Sequence, residues 1–306
     1  MTSYCRKLII NLLFSYMLFR SYLTQYYFLI FIFFILLSAN CQTAKQKILL
    51  PSPPGYDLQA PVTLKLSMEL DEISGISFYQ KDSTVFGIED EDGIFFKIAL
   101  NNNGKAESWH FDKKRDFEDV ALVDSTFYVL VSNGDIETLQ FKNDSIITNK
   151  IKFPDADKHV NEFETLYYDD SLKQLIMLCK DCEEDKKKKV TAWGIDPKSL
   201  QYTPSVFTID VAPIAEKVSD EKFHFKPSAA AINPVTNELY ILASVNNLLV
   251  VADRKGNVKQ VYNLDPKIFK QPEGITFTPS GDLLISNEAA LTGAANILIY
   301  KRKKKG

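Results

Sequence analysis

The chain has only four cysteines and three histidines in 306 residues, and it has no excess of positive charge. Cys5 and Cys41 lie near the amino terminus, which leaves Cys179 and Cys182 as a lone pair. A four-cysteine zinc site needs a second pair and is excluded. With a formal net charge of −3 and lysines that are scattered or sit in short basic runs at 186–189 and 301–305, nucleic acid finds no electrostatic footprint, and no nucleic-acid partner is expected. The sequence also lacks a Gly-x-Ser-x-Gly elbow, a phosphate-binding glycine loop and a His-Glu-x-x-His helix, so covalent serine catalysis is unsupported. His110 reads as an outer-strand residue and His159 as a loop residue, neither with a catalytic context. Long apolar runs are scarce. The stretch from Phe28 to Ala39 falls short of the ~20 apolar residues a membrane span requires unless it is extended back through Tyr22.

What the chain does have is a repeated phrase. Copies begin at Glu72-Ile73-Ser74-Gly75-Ile76, Glu118-Asp119-Val120-Ala121-Leu122, Glu164-Thr165-Leu166-Tyr167, Ser228-Ala229-Ala230-Ala231-Ile232 and Glu273-Gly274-Ile275-Thr276, spaced by 46, 46, 64 and 45 residues. Each copy continues into short Val, Ile, Phe and Tyr-rich segments separated by Asn, Asp, Gly and Lys turns, the pattern of antiparallel strands. Four strands per unit make the blade of a β-propeller. The expected fold is therefore all-β, a five-bladed propeller over residues 62–300, followed by a basic tail at 301–306. The fifth copy runs out after three strands, so the alternating segment at 62–67 is expected to supply its fourth and close the ring, removing an exposed sheet edge. A sixth blade hidden between Glu164 and Ser228 is the structural rival, and the segment from Lys180 to Lys189 reads as a polar insertion in the third unit.

The amino terminus reads as an export signal. Arg6 and Lys7 precede Leu8 to Phe19, and Arg20 precedes Phe28 to Ala39, with Met17 as an alternative start. Leu37-Ser38-Ala39-Asn40-Cys41 is similar to a bacterial lipoprotein cleavage box, which makes Cys41 a candidate for lipidation. Residues 1–41 are thus a signal peptide or signal anchor, and 42–61, with Pro51, Pro53, Pro54 and Pro61, an extended tether. Such a chain is expected in the bacterial cell envelope, held at the membrane by its amino-terminal segment or a lipid. In that oxidising setting Cys179 and Cys182 form a disulfide candidate, with a redox pair as the other reading.

In an up-and-down propeller, the starts of first strands and the ends of second strands meet around one mouth of the central channel. The starts contribute Asp71, Glu72, Asp116, Glu118, Glu162, Glu164, Lys226, Ser228 and Glu273. The ends contribute Glu89, Asp90, Ser132, Asn133, Asp181, Asn246, Asn287 and Glu288. Crowded carboxylates repel one another unless a cation is present, and calcium accepts many oxygen ligands in flexible geometry. The expected ligand set is Glu72, Glu89, Glu118, Asn133, Glu164, Glu273, Asn287 and Glu288, with calcium as the cofactor. The competing reading has each glutamate accept backbone N–H bonds from a neighbouring blade and lock the ring. The fourth copy departs from the rest, placing His224, Lys226 and Ser228 where the others place carboxylates. An acidic ring with one cationic sector suits metal-assisted ester hydrolysis, for which Glu118, Lys226 and His224 are the catalytic candidates.

The phrases Glu72 to Ile76, Asp116 to Ala121, Phe225 to Ala229 and Gln271 to Ile275, in that order, resemble the SdiA-regulated family of bacterial envelope β-propellers over roughly residues 65 to 300. That family is similar in turn to phytase-like and esterase-like propellers and to calcium-dependent lactonases. The resemblance implies a membrane-associated envelope protein with an acidic, calcium-binding face, and implies no established reaction. Three functions follow as expectations: a cation-binding propeller that takes a small or envelope ligand, a metal-dependent hydrolase of phosphoesters, lactones or other esters, and a protein–protein scaffold.

Overall fold

Leu239–Ala243 (LYILA), the second strand of the fourth unit, is buried at every position. Successive side chains on a strand point to opposite faces, so such a run must be covered on both sides. Leu239, Ile241 and Ala243 pack toward the third unit, and Tyr240 and Leu242 toward the fifth. Gln174–Cys182 behaves alike, with Leu175, Met177 and Cys179 on one side and Ile176 and Leu178 on the other. Sheets sandwiched in this way stack radially.

The computed structural model describes residue 20 and residues 50–101, 104–143, 145–155, 160–219, 222–289 and 293–303. Residues 50–303 form five four-stranded antiparallel sheets. Their inner strands are Ile73–Tyr79, Phe117–Val123, Asn161–Asp169, Ala229–Ile232 and Pro272–Phe277, and each touches the next around a closed ring. Five buried apolar clusters fill the five gaps between neighbouring blades. The fifth blade takes its outer strand from the start of the domain, as its missing fourth strand predicts: Val62–Lys65 pairs antiparallel with Asn296–Tyr300, matching Val62 to Ile299 and Lys65 to Asn296.

No sixth blade occupies the long interval among the described residues. It holds a 3₁₀ turn at Glu183–Asp185 and one helix, Ala212–Val218, with Pro213 in its first turn and Ser219 closing it in a left-handed conformation. The insertion is also shorter than expected, because the second strand of blade 3 runs on to Cys182 and takes in Lys180 and Asp181.

The tether reading is revised for its described part, residues 50–61. Tyr56 and Leu58 are buried in the cluster between blades 4 and 5. The Tyr56 hydroxyl donates to the Gly281 carbonyl at 2.6 Å and accepts from Asn233 at 2.9 Å. Proline stiffens this stretch without keeping it off the domain, and two apolar side chains suffice to dock it. Residues 42–49, the apolar leader, Cys5, Cys41 and His159 lie outside the described residues. Among the described residues, no helix is long and apolar enough to cross a membrane.

Candidate metal centre at the channel mouth

A bulge near the start of an inner strand sets the geometry of the mouth. Ladder pairs run Phe117↔Val131 then Asp119↔Leu130, Phe163↔Cys179 then Thr165↔Leu178, and Pro272↔Asn287 then Gly274↔Ser286. Glu118, Glu164 and Glu273 are therefore the extra residues that the partner strand does not match, and a bulge re-aims its side chain. In blade 1 the break lies between Ile73↔Glu89 and Ile76↔Gly87.

These registers correct the sequence alignment of the repeats. Asp90 donates its backbone N–H to the Glu72 carbonyl, just as Ser132 does to Asp116 and Glu288 to Gln271. Glu72 is thus the counterpart of Asp116 and Gln271, two positions earlier than the bulge glutamates. Ser74 holds the Glu118 position in blade 1. Matching glutamate to glutamate put blade 1 out of frame, since a one-letter match cannot detect a bulge.

The carboxylates do gather at one mouth, but in two sectors. In the first, the Lys180 ammonium contacts Glu164 and lies 2.6 Å from Glu162. It also draws down the proton affinity of Glu118 and Glu273. Even so, burial, reinforced by Asp116, holds the Glu118 carboxyl at about 9, and burial holds Glu273 at about 7. Lys180 reaches this position through a local irregularity. Asn161↔Cys182, Glu162↔Asp181 and Phe163↔Cys179 leave Lys180 as the unmatched residue, and a disulfide between Cys179 and Cys182 spans it.

The second sector lies on blade 1. Glu72, Glu89 and Asp90 each bring one carboxylate oxygen within 4.8 Å of the others. Glu89 is buried, and its carboxylate accepts the Asp92 N–H. Burial first, then the charges of Glu72, Glu89 and Glu288, push the Asp90 carboxyl up to about 8. Burial and its carboxylate neighbours Glu273 and Glu72 push Glu288 up to about 7. One oxygen each of Asp90 and Asp71 is buried with no hydrogen-bond partner among the described residues. A cavity of about 400 Å³ opens here, lined by Asp71, Glu72, Glu89 and Asp92 over Ile94 and Phe96. The donors are all carboxylate oxygens, the set that suits a hard divalent cation such as calcium.

The remaining predicted residues are engaged elsewhere. Asn133 is exposed and caps the Asp135 N–H at 3.0 Å. Asn287 is fully buried and donates to Asn296 at 3.0 Å and to the Ile268 carbonyl. Neither joins the carboxylates, because each side chain is held by its own turn or blade. Lys226 pairs with Asp181 at 3.0 Å, and His224 lies 3.8 Å from the same carboxylate. Burial keeps the His224 pKa below its ordinary value despite Asp181. Ser228 is buried and donates to the Pro272 carbonyl at 2.9 Å, joining blades 4 and 5. The ring-locking role considered for the glutamates belongs to Asp119, which accepts the Val120 and Leu166 N–H groups, each at 2.8 Å, and so ties blade 2 to blade 3.

Sequence reasoning missed Lys180, set aside as part of an insertion. Crowded carboxylates call for a cation among them, and a lysine beside the end of the second strand of the third repeat, where second strands reach the mouth, was the available signal.

Comparison with known proteins agrees with the architecture. The family model described as SdiA-regulated matches residues 53–292. A search of curated proteins found no match. Among solved structures, the chain is similar to the glutaminyl cyclase of Myxococcus xanthus, at 12% identity and a TM-score of 0.55, covering 80% of this chain and 97% of that one. It is also similar to regucalcin, a calcium-binding protein of Agrobacterium tumefaciens str. C58, at 11% identity and a TM-score of 0.47, covering 82% and 96%. At 12% identity the likeness to the glutaminyl cyclase speaks to the fold alone.

Proposed function

We propose, from the premise that the chain belongs to the SdiA-regulated family, that it is a cell-envelope propeller whose mouth binds one divalent cation, calcium by preference, at Glu72, Glu89 and Asp90. The observation that carries this reading is the convergence of three carboxylate oxygens within 4.8 Å beside a buried Asp90 oxygen that has no donor among the described residues. Like charges at that separation repel strongly in a partly desolvated site, and a divalent cation relieves the repulsion. Three protein oxygens leave at least half of the six to eight calcium positions to water or to an oxygen-bearing ligand. The amino-terminal segment, through its apolar stretch or through lipid on Cys41, attaches the domain to the membrane. Melting curves with calcium and with chelator test the cation site. A calcium-dependent rise in melting temperature that disappears in Asp90→Asn is expected, and a wild-type curve indifferent to both additions would sink the reading.

One observation favours a second reading, metal-dependent ester or phosphoester hydrolysis. Glu118 stands in the same mouth with its carboxyl at about 9, and so holds a proton at neutral pH. Bound calcium would supply polarisation of an ester oxygen, and Glu118 would hold the proton a leaving group needs. Turnover of aryl phosphates, aryl esters and lactones by the wild type but not by Glu118→Gln supports this reading. Equal turnover in the two places the reaction elsewhere.

A further inference from the structure

The channel is divided by a waist just inside the bulges. Asp119 and Thr165 there are 3% and 0% exposed. A Cβ on Gly75 would lie 2.1 Å from Asp119 Oδ1 and 2.4 Å from its Cα, and one on Gly274 would lie 2.7 Å from the Ser74 carbonyl. Glycine lets the blades close here, and the acidic mouth ends at this level.

Beyond the waist, the far ends of all five inner strands surround a second chamber of about 370 Å³. None of its lining residues carries a charge. Phe78, Leu122, Tyr168, Ile232 and Phe277 pack between the blades and show the chamber only part of their surface, Gln80 adds an uncharged amide, and the exposed lining is about as polar as it is apolar. Each inner strand pairs with its blade along one edge only, so the peptide groups of its other edge face the axis and need partners. Phe78 shows the demand: its N–H is taken up by the Thr276 hydroxyl of blade 5 at 3.2 Å. The chamber therefore combines apolar surface with a similar share of neutral donors and acceptors, and it offers no counter-charge to a buried ion.

The geometry points to this chamber as a second binding site, for an uncharged small molecule that joins an apolar body to a carbonyl or hydroxyl group. Its volume lies within the roughly 300–1,000 Å³ of small-molecule pockets. The site stands apart from the cation mouth and does not depend on it. The test is titration of the full chain with the uncharged naphthalene ketone probe Prodan, read by its polarity-sensitive emission. Ala231→Phe and the milder Ser77→Leu both fill the chamber. One saturable, blue-shifted component is expected in the wild type, indifferent to calcium and about tenfold weaker or worse in the filled variants. If Ala231→Phe melts early, Ser77→Leu decides. The proposal is overturned if the wild type shows no saturable component, or if a filled variant with wild-type melting temperature binds the probe as the wild type does.

Discussion

The two sectors of the mouth meet the same electrostatic problem and differ in how it is met. Around Glu118, Glu162, Glu164 and Glu273 the chain supplies its own cation, Lys180, from a strand position pinned by a disulfide. Around Glu72, Glu89 and Asp90 no lysine or arginine makes an ion pair among the described residues, and one Asp90 oxygen stays unpaired. An acidic mouth is therefore not in itself a metal site. The sector that lacks an internal counter-ion is the one that calls for an external ion.

Removing the internal cation should have the largest effect. In Lys180→Met, Glu162 and Glu164 lose their shared ion-pair partner, and because Lys180 and Glu164 are each only 15% exposed, the loss is expected at about 3 kcal/mol near neutral pH. Urea denaturation measures it. Calcium should then recover part of the lost stability, since the first sector would come to resemble the second. A variant as stable as wild type would show that Lys180 is not the counter-ion.

Calcium should stabilise the wild type by about 2.7 kcal/mol at a hundredfold excess over its dissociation constant, and pH sharpens this expectation. Asp90, Glu118, Glu273 and Glu288 have folded pKa values raised to about 8, 9, 7 and 7, by burial in the first place. Unfolded, they ionise near pH 4. Between about pH 4 and about pH 9 the folded state holds the extra protons, so stability falls as pH rises across that window. Melting curves in chelator should decline accordingly, and the calcium response should be larger at the alkaline end, where Asp90 is ionised. Asp90→Asn should raise the melting temperature in chelator at alkaline pH and abolish the calcium response. A chelated wild type that grows more stable from pH 5 to pH 8 would contradict the electrostatic account.

The disulfide links sequence to this contrast. Cys179–Cys182 spans the residue that carries the internal cation, so reduction, or Cys179→Ser with Cys182→Ser, frees Lys180 as well as the chain. A loop this short contributes about 2 kcal/mol through the unfolded state. A further loss present at neutral pH and absent in strong acid, where the carboxylates are protonated, would report the Lys180 contacts, and a loss equal at all pH values would show that the bridge acts on the chain alone.

Much of the fold could be read from the sequence because blade strands buried on both faces leave unbroken apolar runs, such as Leu239–Ala243 and Leu248–Ala252. The closing strand was legible because the last repeat stops one strand short. The site was legible only as a face. Which carboxylates meet depends on bulges that shift the register by one residue without changing composition. The roles of Lys180 and Asp119 depend on contacts distant in sequence, 16 residues to Glu164 on the neighbouring strand of the same blade and 47 to Leu166 on the next blade. Residues 50–61 misled for a related reason: their prolines spoke for extension, while Tyr56 and Leu58 decided the packing.

The smallest effect is expected at the sector that first looked most distinctive. Lys226 binds Asp181 at 3.0 Å, but their side chains are 27% and 39% exposed, and solvent screens the pair. Burial alone would raise the Asp181 pKa; the Lys226 hydrogen bond, with His224 and Lys226 charges behind it, brings it below the ordinary value. A depressed carboxyl adds stability above its unfolded pKa and loses it as pH falls through the folded one. Lys226→Met should therefore cost less than about 1 kcal/mol near neutral pH, and nothing in strong acid, the opposite slope to the raised carboxylates of the mouth. It should leave the calcium response intact, because Asp181 faces Lys226 and His224 rather than the blade 1 carboxylates. Loss of calcium binding in Lys226→Met would make the two sectors one site, and the contrast between an internal and an external cation would fall with it.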